Sequence, residues 1–231
     1  MPYDQGFTVS GAYMPTPNSG VRAQQADLTR ARILKAATRV FSQDGYSGGR
    51  IEKISRLAKS NDRMIYYYFK SKEQLFIRVL ESIYASFNEA ESRQRFNLDD
   101  PVAALRQLIA FVWQYYIQHP EFISILNTEN LHKAAHSRKS PALRALSGEA
   151  LGNLAPIIEA GQAQGVFRAD VDLHHLYLLI SSLCYFYHSN QHTLGAFLGT
   201  DLASAHARDS WLAYACDQVL RGLRNLPDGP G

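Results

Sequence analysis

Residues 51–72 carry the chemistry that stands out in this chain. Two short segments with apolar residues at helical spacing flank a polar break, and the second segment places Ile65 and Phe69 four residues apart. Asn61 or Asp62 can cap the start of that second helix. Two short helices joined by a tight turn form a helix-turn-helix, whose second helix enters the DNA major groove. The spacing therefore predicts a DNA-binding motif.

The predicted second helix begins with side chains that suit base edges. Arg63 could form a bidentate pair with guanine, and Met64 could touch a thymine methyl group. Asp62 could accept a hydrogen bond from cytosine or serve as the helix cap. Lys59 and Lys70 flank this helix and are candidates for phosphate contacts, which give affinity without sequence information.

The same stretch resembles the DNA-binding motif of TetR-family repressors across residues 28–76. The matching residues are Ile54-Ser55, Ala58, Tyr66-Tyr67-Tyr68-Phe69, Lys72-Glu73 and Leu75, preceded by Phe41–Tyr46 at the end of the family's first helix.

This resemblance implies that Asp62, Arg63 and Met64 lie at base-reading positions. It also implies phosphate contacts for Tyr66, Tyr68 and Lys72, and Tyr67 could serve either role. For the tyrosines, the alternative role is packing between the recognition helix and its neighbours.

Three positions depart from the family pattern. Gly49 stands where a Thr usually caps the second helix, and Lys59-Ser60 replaces the usual Gly-Val pair of the turn. Asn61 replaces the usual Ser before the recognition helix, and it is a good cap in its own right. The turn therefore lacks the Val that the family buries there.

Composition is that of an ordinary globular protein, with 231 residues and 46% apolar content. No apolar run reaches the roughly 18 residues that cross a bilayer, and the N-terminus has no secretory signal pattern. Cys184 and Cys216 have no CxxC partner, so we expect them to be reduced and buried. We expect a cytoplasmic protein with no membrane partner.

Charge is distributed unevenly along the chain. Residues 22–78 hold 13 Lys/Arg and 5 Asp/Glu, a balance of +8, whereas residues 79–231 hold 11 and 15, a balance of −4. With −1 from residues 1–21, the sum is the net charge of +3. A basic segment that coincides with the motif indicates a phosphate-binding head on a mildly acidic body.

The pattern predicts an all-α fold, with an N-terminal three-helix helix-turn-helix DNA-binding domain and a C-terminal helical bundle for ligand binding and dimerisation. We expect a flexible arm over 1–26, the DNA-binding domain over 27–71, the bundle over 72–226 and a disordered tail over 227–231. The predicted helices are 27–44, two short helices within 51–72 joined by a turn at 59–61, then 72–94, 101–119, 121–136, 141–164 with a kink at Pro156, 173–189 and 206–223, with a loop over 190–205.

Resemblance also implies a ligand pocket in the body. Polar residues on otherwise apolar helical faces need hydrogen-bond partners, and a small, planar, partly polar molecule could supply them. The candidates are Trp113, Tyr116, Asn127, Asn130, Tyr185 and His188. The alternative is that each of them satisfies a neighbour inside the bundle.

Dimerisation is expected through the last two helices, which in the family form a four-helix interface. Two heads spaced about 34–36 Å apart would read a palindromic double-stranded DNA operator. The candidate residues are Leu176, Ile180, Leu183, Trp211, Tyr214 and Gln218. The alternative is that these stripes face the chain's own core.

The sequence contains no motif that supports an enzymatic activity or a metal site. His132 with His136, and His188 with His192, are spaced to share a helical face, but no further ligand completes a zinc site. The chain has no Gly-rich phosphate loop and no GxSxG, and we predict no cofactor. The sequence thus favours a DNA-binding transcriptional repressor that an unknown small-molecule effector releases from its operator, or, alternatively, a DNA-binding regulator without a ligand.

Overall fold

The computed structural model describes residues 18–147 and 151–224, so the predicted tail at 227–231 and the first 17 residues of the predicted arm lie outside it. The described residues form helices and no strand, which confirms the all-α prediction. In chain order the helices are α1 Asn18–Gly48, α2 Ile51–Leu57, α3 Asp62–Phe69, α4 Lys72–Ser92, α5 Pro101–Gln118, α6 Pro120–Leu131, α7 Pro141–Ser147, α8 Leu154–Ala163, α9 Leu173–Leu198 and α10 Ala205–Leu223. A 3-10 turn, Ser137–Lys139, precedes α7.

Helices α1 to α3 form the head around buried apolar residues, including Ile33, Phe41 and Ile54. The first helix begins at Asn18 instead of residue 27, so residues 18–26 of the predicted arm are helical. The predicted break at Gly45 is present, because this residue has φ 68° and ψ −179°, a conformation open only to glycine.

Helix α4 joins the head to the body. Leu75, Phe76, Val79 and Leu80 are fully buried along one face of this helix. The ring of Phe76 meets that of Phe41 edge-on, with centroids 5.1 Å apart. A shift of α4 would therefore move the head relative to the body.

Three predicted helix limits in the body are wrong. The helix predicted over 121–136 ends at Leu131, because Lys133 and Ala134 take positive φ values of 55° and 59°. The single helix predicted over 141–164 is two helices, and Pro156 is the third residue of α8, where its missing N–H breaks no helical hydrogen bond.

The third correction concerns the loop predicted over 190–205. Helix α9 continues to Leu198 and ends at Gly199, whose φ is 66°. The chain then folds back on its own helix, and a Cβ on Gly195 would lie 2.8 Å from the carbonyl oxygen of Thr200. A glycine that permits this close return resembled a loop glycine in the sequence.

The body is built around α5, with Trp113 fully buried at its centre. Helices α8, α9 and α10 pack against α5. Both cysteines are free and buried, as predicted. Within the described ranges, no helix is both long and apolar enough to cross a membrane.

Candidate nucleic-acid interface and body cavity

The recognition helix α3 is held in the head by two buried residues, Ile65 and Phe69. Its first turn is capped by Asn61, whose side chain accepts a hydrogen bond of 3.0 Å from the backbone N–H of Met64. Asn61 is therefore the cap, and Asp62 lies in the first turn. This arrangement leaves the outer face of α3 to solvent.

The turn before α3 closes without the apolar residue that the family pattern places there. Lys59 has a left-handed φ of 49°, and the backbone N–H of Ser60 donates to the carbonyl oxygen of Ser55 at 2.9 Å. Ser60 is half-buried where the family has Val. Backbone hydrogen bonds thus close the turn.

Gly49, the other unusual position, is explained by packing. A Cβ at this position would lie 2.5 Å from the ring of Phe41, which is fully buried. The cap position of α2 belongs to Arg50, which makes no side-chain capping bond. Glycine at position 49 therefore lets the Phe41 ring lie against the backbone, and α2 begins without a side-chain cap.

The predicted base-reading residues differ in exposure. Arg63 is exposed and forms no ion pair with any described residue. Asp62 is half-buried, and Met64 packs partly against the core of the head. Of the three residues, Arg63 is therefore the one whose side chain is most available to contact a base edge.

The three consecutive tyrosines of α3 divide into two groups. Tyr66 and Tyr67 are 48% and 66% exposed. Tyr68 is half-buried, and its ring lies 5.1 Å from that of Tyr67 and 6.4 Å from that of Phe69. The geometry thus favours phosphate contacts for the first two and packing for Tyr68.

The lysines near α3 differ in whether their ammonium groups are engaged by the protein. Lys59 is exposed, and Lys70 donates to the carbonyl oxygen of Tyr67 at 3.0 Å. Lys72 donates to the carbonyl oxygen of Ser47 at 3.2 Å, lies 4.9 Å above the ring of Tyr46, and has its pKa lowered by burial. Lys72 therefore holds α1 and α4 together.

The described part of the body contains a cavity of about 590 Å³ between α4, α6, α7 and α9. Its lining residues are Tyr84, Phe87, Asn88, Phe122, Ser137, Arg138, Leu143, Arg144, Leu146, Leu151, His174 and Tyr177. Aromatic rings form much of the wall, and cationic or titratable groups enter from three separate segments. Burial raises the pKa of Tyr84 to about 12, so this phenol stays neutral.

The six residues predicted to line a pocket lie elsewhere and form a packed cluster. The rings of Trp113 and His188 are 4.2 Å apart, and those of Tyr116 and Tyr185 are 6.5 Å apart. Burial lowers the pKa of His188 to about 4, which keeps the imidazole neutral in this apolar setting.

Only part of this cluster is hydrogen-bonded internally, because the indole Nε1 of Trp113 and the Nε2 atom of His188 are buried and have no hydrogen-bond partner among the described residues. The hydroxyl of Tyr185 donates to Asn127, and Asn130 donates to that hydroxyl at 3.4 Å. These contacts join α6 to α9. The alternative interpretation made from the sequence, mutual satisfaction by neighbours, therefore fits Tyr185, Asn127 and Asn130 but not Trp113 and His188.

The actual cavity residues were missed because they do not share a sequence pattern. Tyr84 and Phe87 belong to the apolar stripe of α4, which reads as ordinary core. Ser137 and Arg138 lie in a polar break, and His174 and Tyr177 lie one turn apart in α9. Only the packing of these elements brings the residues together.

A buried, hydrogen-bonded Glu–His pair lies between the cavity and the head. Glu129 and His136 are 3% and 5% exposed, and the Nδ1 atom of His136 is 2.7 Å from the Glu129 carboxylate. That carboxylate also accepts from the backbone N–H groups of His136 and Ser137 at 2.9 and 2.7 Å. Burial would raise the pKa of Glu129, but the hydrogen bonds from Ser137 and His136 outweigh it and lower the pKa.

The predicted dimer residues also divide by exposure. Leu176 and Ile180 are buried in the chain's own core, and the indole of Trp211 donates to the carbonyl oxygen of Leu183 at 3.0 Å. Gln218 is half-buried, and Tyr214 is exposed. The large apolar residues that α9 and α10 expose are Tyr177, Leu178, Leu179, Phe186, Phe197, Leu198 and Tyr214.

Metal binding gains no geometric support among the residues that the structure describes. They contain no group of three or more His, Cys, Asp or Glu side chains placed to hold an ion. His136 is engaged by Glu129, and the Nδ1 atom of His132 lies 2.8 Å from the carbonyl oxygen of Thr128.

Two family descriptions match this chain. Residues 33–79 match the description "Bacterial regulatory proteins, tetR family", and residues 101–219 match "Tetracyclin repressor-like, C-terminal domain". The chain is 65% identical over 211 residues to the HTH-type transcriptional repressor NicS of Pseudomonas putida, covering 91% of this chain and 100% of that protein.

Solved structures of low identity share the fold. A transcriptional regulator of Streptomyces coelicolor, SCO4942, superposes with a TM-score of 0.65 at 21% identity, covering 84% of this chain and 98% of that one. FadR of Bacillus subtilis, solved in complex with stearoyl-CoA, gives a TM-score of 0.65 at 16% identity over 84% of this chain and all of that one. The matches identify a regulator and not an enzyme, and the chain belongs to the TetR family of transcriptional regulators.

Proposed function

We propose that this protein is a transcriptional repressor that binds a palindromic operator as a homodimer and leaves it when a small molecule fills the body cavity. The observation that carries the proposal is the separation of two sites on one scaffold. An exposed recognition helix lies in the head, and a cavity of about 590 Å³ lies in the body, with α4 belonging to both. The similarity to a repressor that is 65% identical supports the sign of regulation.

For DNA binding we infer that Arg63 reads a base and that Tyr66, Tyr67 and Lys59 contact phosphates. All four are exposed on or beside α3. Phosphate contacts would set the register of the head, and the Arg63 guanidinium would discriminate guanine from the other bases. Lys72 and Tyr68 would act indirectly, because both are engaged within the head.

For dimerisation we infer an interface on the outer faces of α9 and α10. Leu178, Leu179 and Phe186 on α9 and Tyr214 on α10 are large apolar residues that a monomer would leave in water. Two copies related by a twofold axis would cover these faces and present two recognition helices to successive major grooves.

For the effector we infer a flat, partly polar molecule with an acidic group. The cavity volume falls within the range of about 300–1,000 Å³ that ligand pockets occupy. Phe87, Phe122 and Tyr177 offer aromatic faces, and Arg138 with His174 offers hydrogen-bond donors for an anion. A regulator without a ligand, the alternative function, would have little use for an opening of this size.

For the coupling between the two sites we infer a route through residues 129–139. Ser137 and Arg138 line the cavity, and the adjacent His136 packs its ring against Tyr46 and Phe76, with centroids 4.4 and 4.8 Å away. Lys139 continues the link with an ion pair of 2.5 Å to Glu73 at the start of α4. A ligand that pulls on Arg138 would thus move the contacts that hold the head. Because coupling is reciprocal, bound DNA would weaken the ligand by the same factor.

A selection of binding sites from a random DNA pool, followed by release with small molecules, tests this function. We expect a palindromic site with two half-sites and a compound that both raises the melting temperature and releases that DNA. Leu143→Trp, which fills the cavity, should abolish release and keep DNA affinity. Leu98→Trp makes the same change at an exposed position outside the cavity and outside residues 129–139, and it should keep both. Equal release in the two variants would contradict the cavity assignment.

A further inference from the structure

A buried carboxyl group lies beside the cavity and has no partner of opposite charge among the described residues. Glu91, near the C-terminal end of α4, is 9% exposed. The amide of Asn153 approaches this residue and donates to its backbone carbonyl oxygen at 3.3 Å. An unpaired acidic side chain in such a position is costly to retain, so its presence calls for a reason.

Glu91 borders a small void that adjoins the cavity. The void has a volume of about 30 Å³, which is the space of one water molecule or of one small polar group. Its lining residues are Phe87, Glu91, Leu108, Val112, Leu154, Tyr177, Ile180 and Ser181. Phe87 and Tyr177 line both the void and the cavity, so the two spaces adjoin at these rings.

The groups around Glu91 leave its carboxyl group poorly solvated. Helix α5 contributes Leu108 and Val112, and α8 contributes Leu154, all of them apolar. Helix α9 contributes the apolar Ile180 and the hydroxyl-bearing Tyr177 and Ser181, so no charged group lines the void apart from Glu91. Burial raises the pKa of Glu91 to about 7 against the opposing effect of a hydrogen bond from Asn153. The negative end of the α4 dipole adds to the cost of the ionised form.

A purely structural role explains Glu91 poorly. Apolar residues commonly replace unpaired or paired buried charges without loss of stability, and the three helices around this carboxyl group supply apolar partners. A buried acidic group that is retained beside a ligand cavity, although an apolar residue would be at least as stable there, is characteristic of a binding site.

We propose that Glu91 is the specificity-determining residue at the inner end of the effector cavity, where it accepts a hydrogen bond from an N–H group of the effector. This assignment rests on the proposed function of the cavity. The effector would place its acidic group near Arg138 and a nitrogen donor at its opposite edge near Glu91, directly or through one water. The side-chain rings of Phe87 and Tyr177 would hold the flat body of the molecule between these two ends.

This role has a defined pH dependence. A nitrogen donor stabilises the ionised carboxylate of Glu91, so binding releases a proton when the carboxyl group is protonated beforehand. Affinity for a donor-bearing molecule should therefore rise as the pH increases through about 7, the pKa that burial gives Glu91. His174 and Arg138 act on the acidic group that all such molecules share, so their contribution cancels in a ratio between two probes.

The test compares benzoate, 4-aminobenzoate and 4-(aminomethyl)benzoate by calorimetry at pH 6 and pH 8. Wild-type protein should prefer a donor-bearing probe to benzoate by about tenfold or more at pH 8 and by less at pH 6. Glu91→Leu should abolish the preference at both pH values, and Glu91→Gln should remove its pH dependence. Glu89→Gln, an exposed carboxylate on the same helix, is the matched control and should behave as wild type.

Two results would overturn the proposal and can be told apart. If the three probes bind equally and Glu91→Leu changes nothing, the cavity is an effector site and Glu91 has no part in recognition. If no probe binds wild-type protein at either pH, the ligand class inferred for the cavity is wrong, and the role of Glu91 falls with it. Retained preference in Glu91→Gln with unchanged pH dependence would contradict the proton linkage even if Glu91→Leu proved unstable.

Discussion

The head and the body place their functional groups in opposite ways. In the head, Arg63, Tyr66 and Tyr67 lie within one short helix and point to solvent. In the body, the cavity draws residues from α4, α6, α7 and α9, between Tyr84 and Tyr177, and turns them inward. DNA is an external partner that a local motif can meet, whereas an enclosed ligand needs walls from several elements. A motif can therefore reveal the first kind of site and not the second.

The largest effect is expected at the contact between the two regions. Glu129→Ala removes a carboxylate that accepts three hydrogen bonds, two from backbone N–H groups. We expect a loss of about 3–5 kcal/mol in the free energy of unfolding, because the remaining buried donors have no other partner. Urea denaturation of wild type and Glu129→Ala measures this loss. The matched control is Glu121→Ala, whose carboxylate meets His119 at 3.2 Å on the surface and should cost less than about 1 kcal/mol.

The same variant has a predicted pH dependence. The folded pKa of Glu129 lies below its ordinary value of 4.5, so its contribution to stability is present above that value and is lost as the pH falls through the folded pKa. Wild type and Glu129→Ala should therefore converge in stability below pH 4.5. A constant difference across that range would show that the Glu129 side chain acts through packing and not through its charge.

The sequence predicted the head well because its local rules agree with its tertiary structure. Asn61 caps α3, Ile65 and Phe69 are buried, and Gly45 breaks α1, as their residue types and spacing indicated. It predicted Trp113 and His188 as pocket residues from polar tips on apolar faces, and the packing of the helices places both outside the cavity. The neighbours of Tyr84 or Glu91 depend on how four helices pack, which helical periodicity does not encode.

The second effect tests the exposed recognition helix of the head. Arg63→Ala should remove about 1–3 kcal/mol of discrimination at one base pair in each half-site. Fluorescence anisotropy on the selected operator and on single-base variants of it measures this change. Lys53→Ala is the control, because Lys53 is tied to Asp44 by an ion pair of 2.6 Å within the head. Weaker binding to all sequences alike would show that Arg63 contacts phosphate.

The third effect compares one glycine from each region. A Cβ on Gly49 would lie 2.5 Å from Phe41, and one on Gly161 would lie 2.0 Å from Phe167, and both rings are buried. Each Gly→Ala variant should lose about 1–3 kcal/mol from overpacking. Gly222→Ala has open space around the new methyl group within the described structure and should be neutral or gain up to about 1 kcal/mol. Thermal unfolding of the three variants checks the order, and equal stability would mean that both rings move aside freely.

The smallest effect lies in the turn where this chain departs from its family. Lys59 adopts a φ of 49°, a left-handed conformation that costs a residue with a Cβ about 1–2 kcal/mol and glycine almost nothing. Lys59→Gly should therefore raise the free energy of unfolding by up to about 1 kcal/mol, while the slope of log affinity against log salt falls by about 0.9 for one lost phosphate contact. Lys59→Asn, which also tolerates this conformation, separates backbone strain from charge. If stability rises and the salt slope falls, the lysine is kept in a strained position for its contact with DNA. If stability rises and the slope stays constant, the charge of Lys59 does not reach the operator, and the head reads DNA through α3 alone.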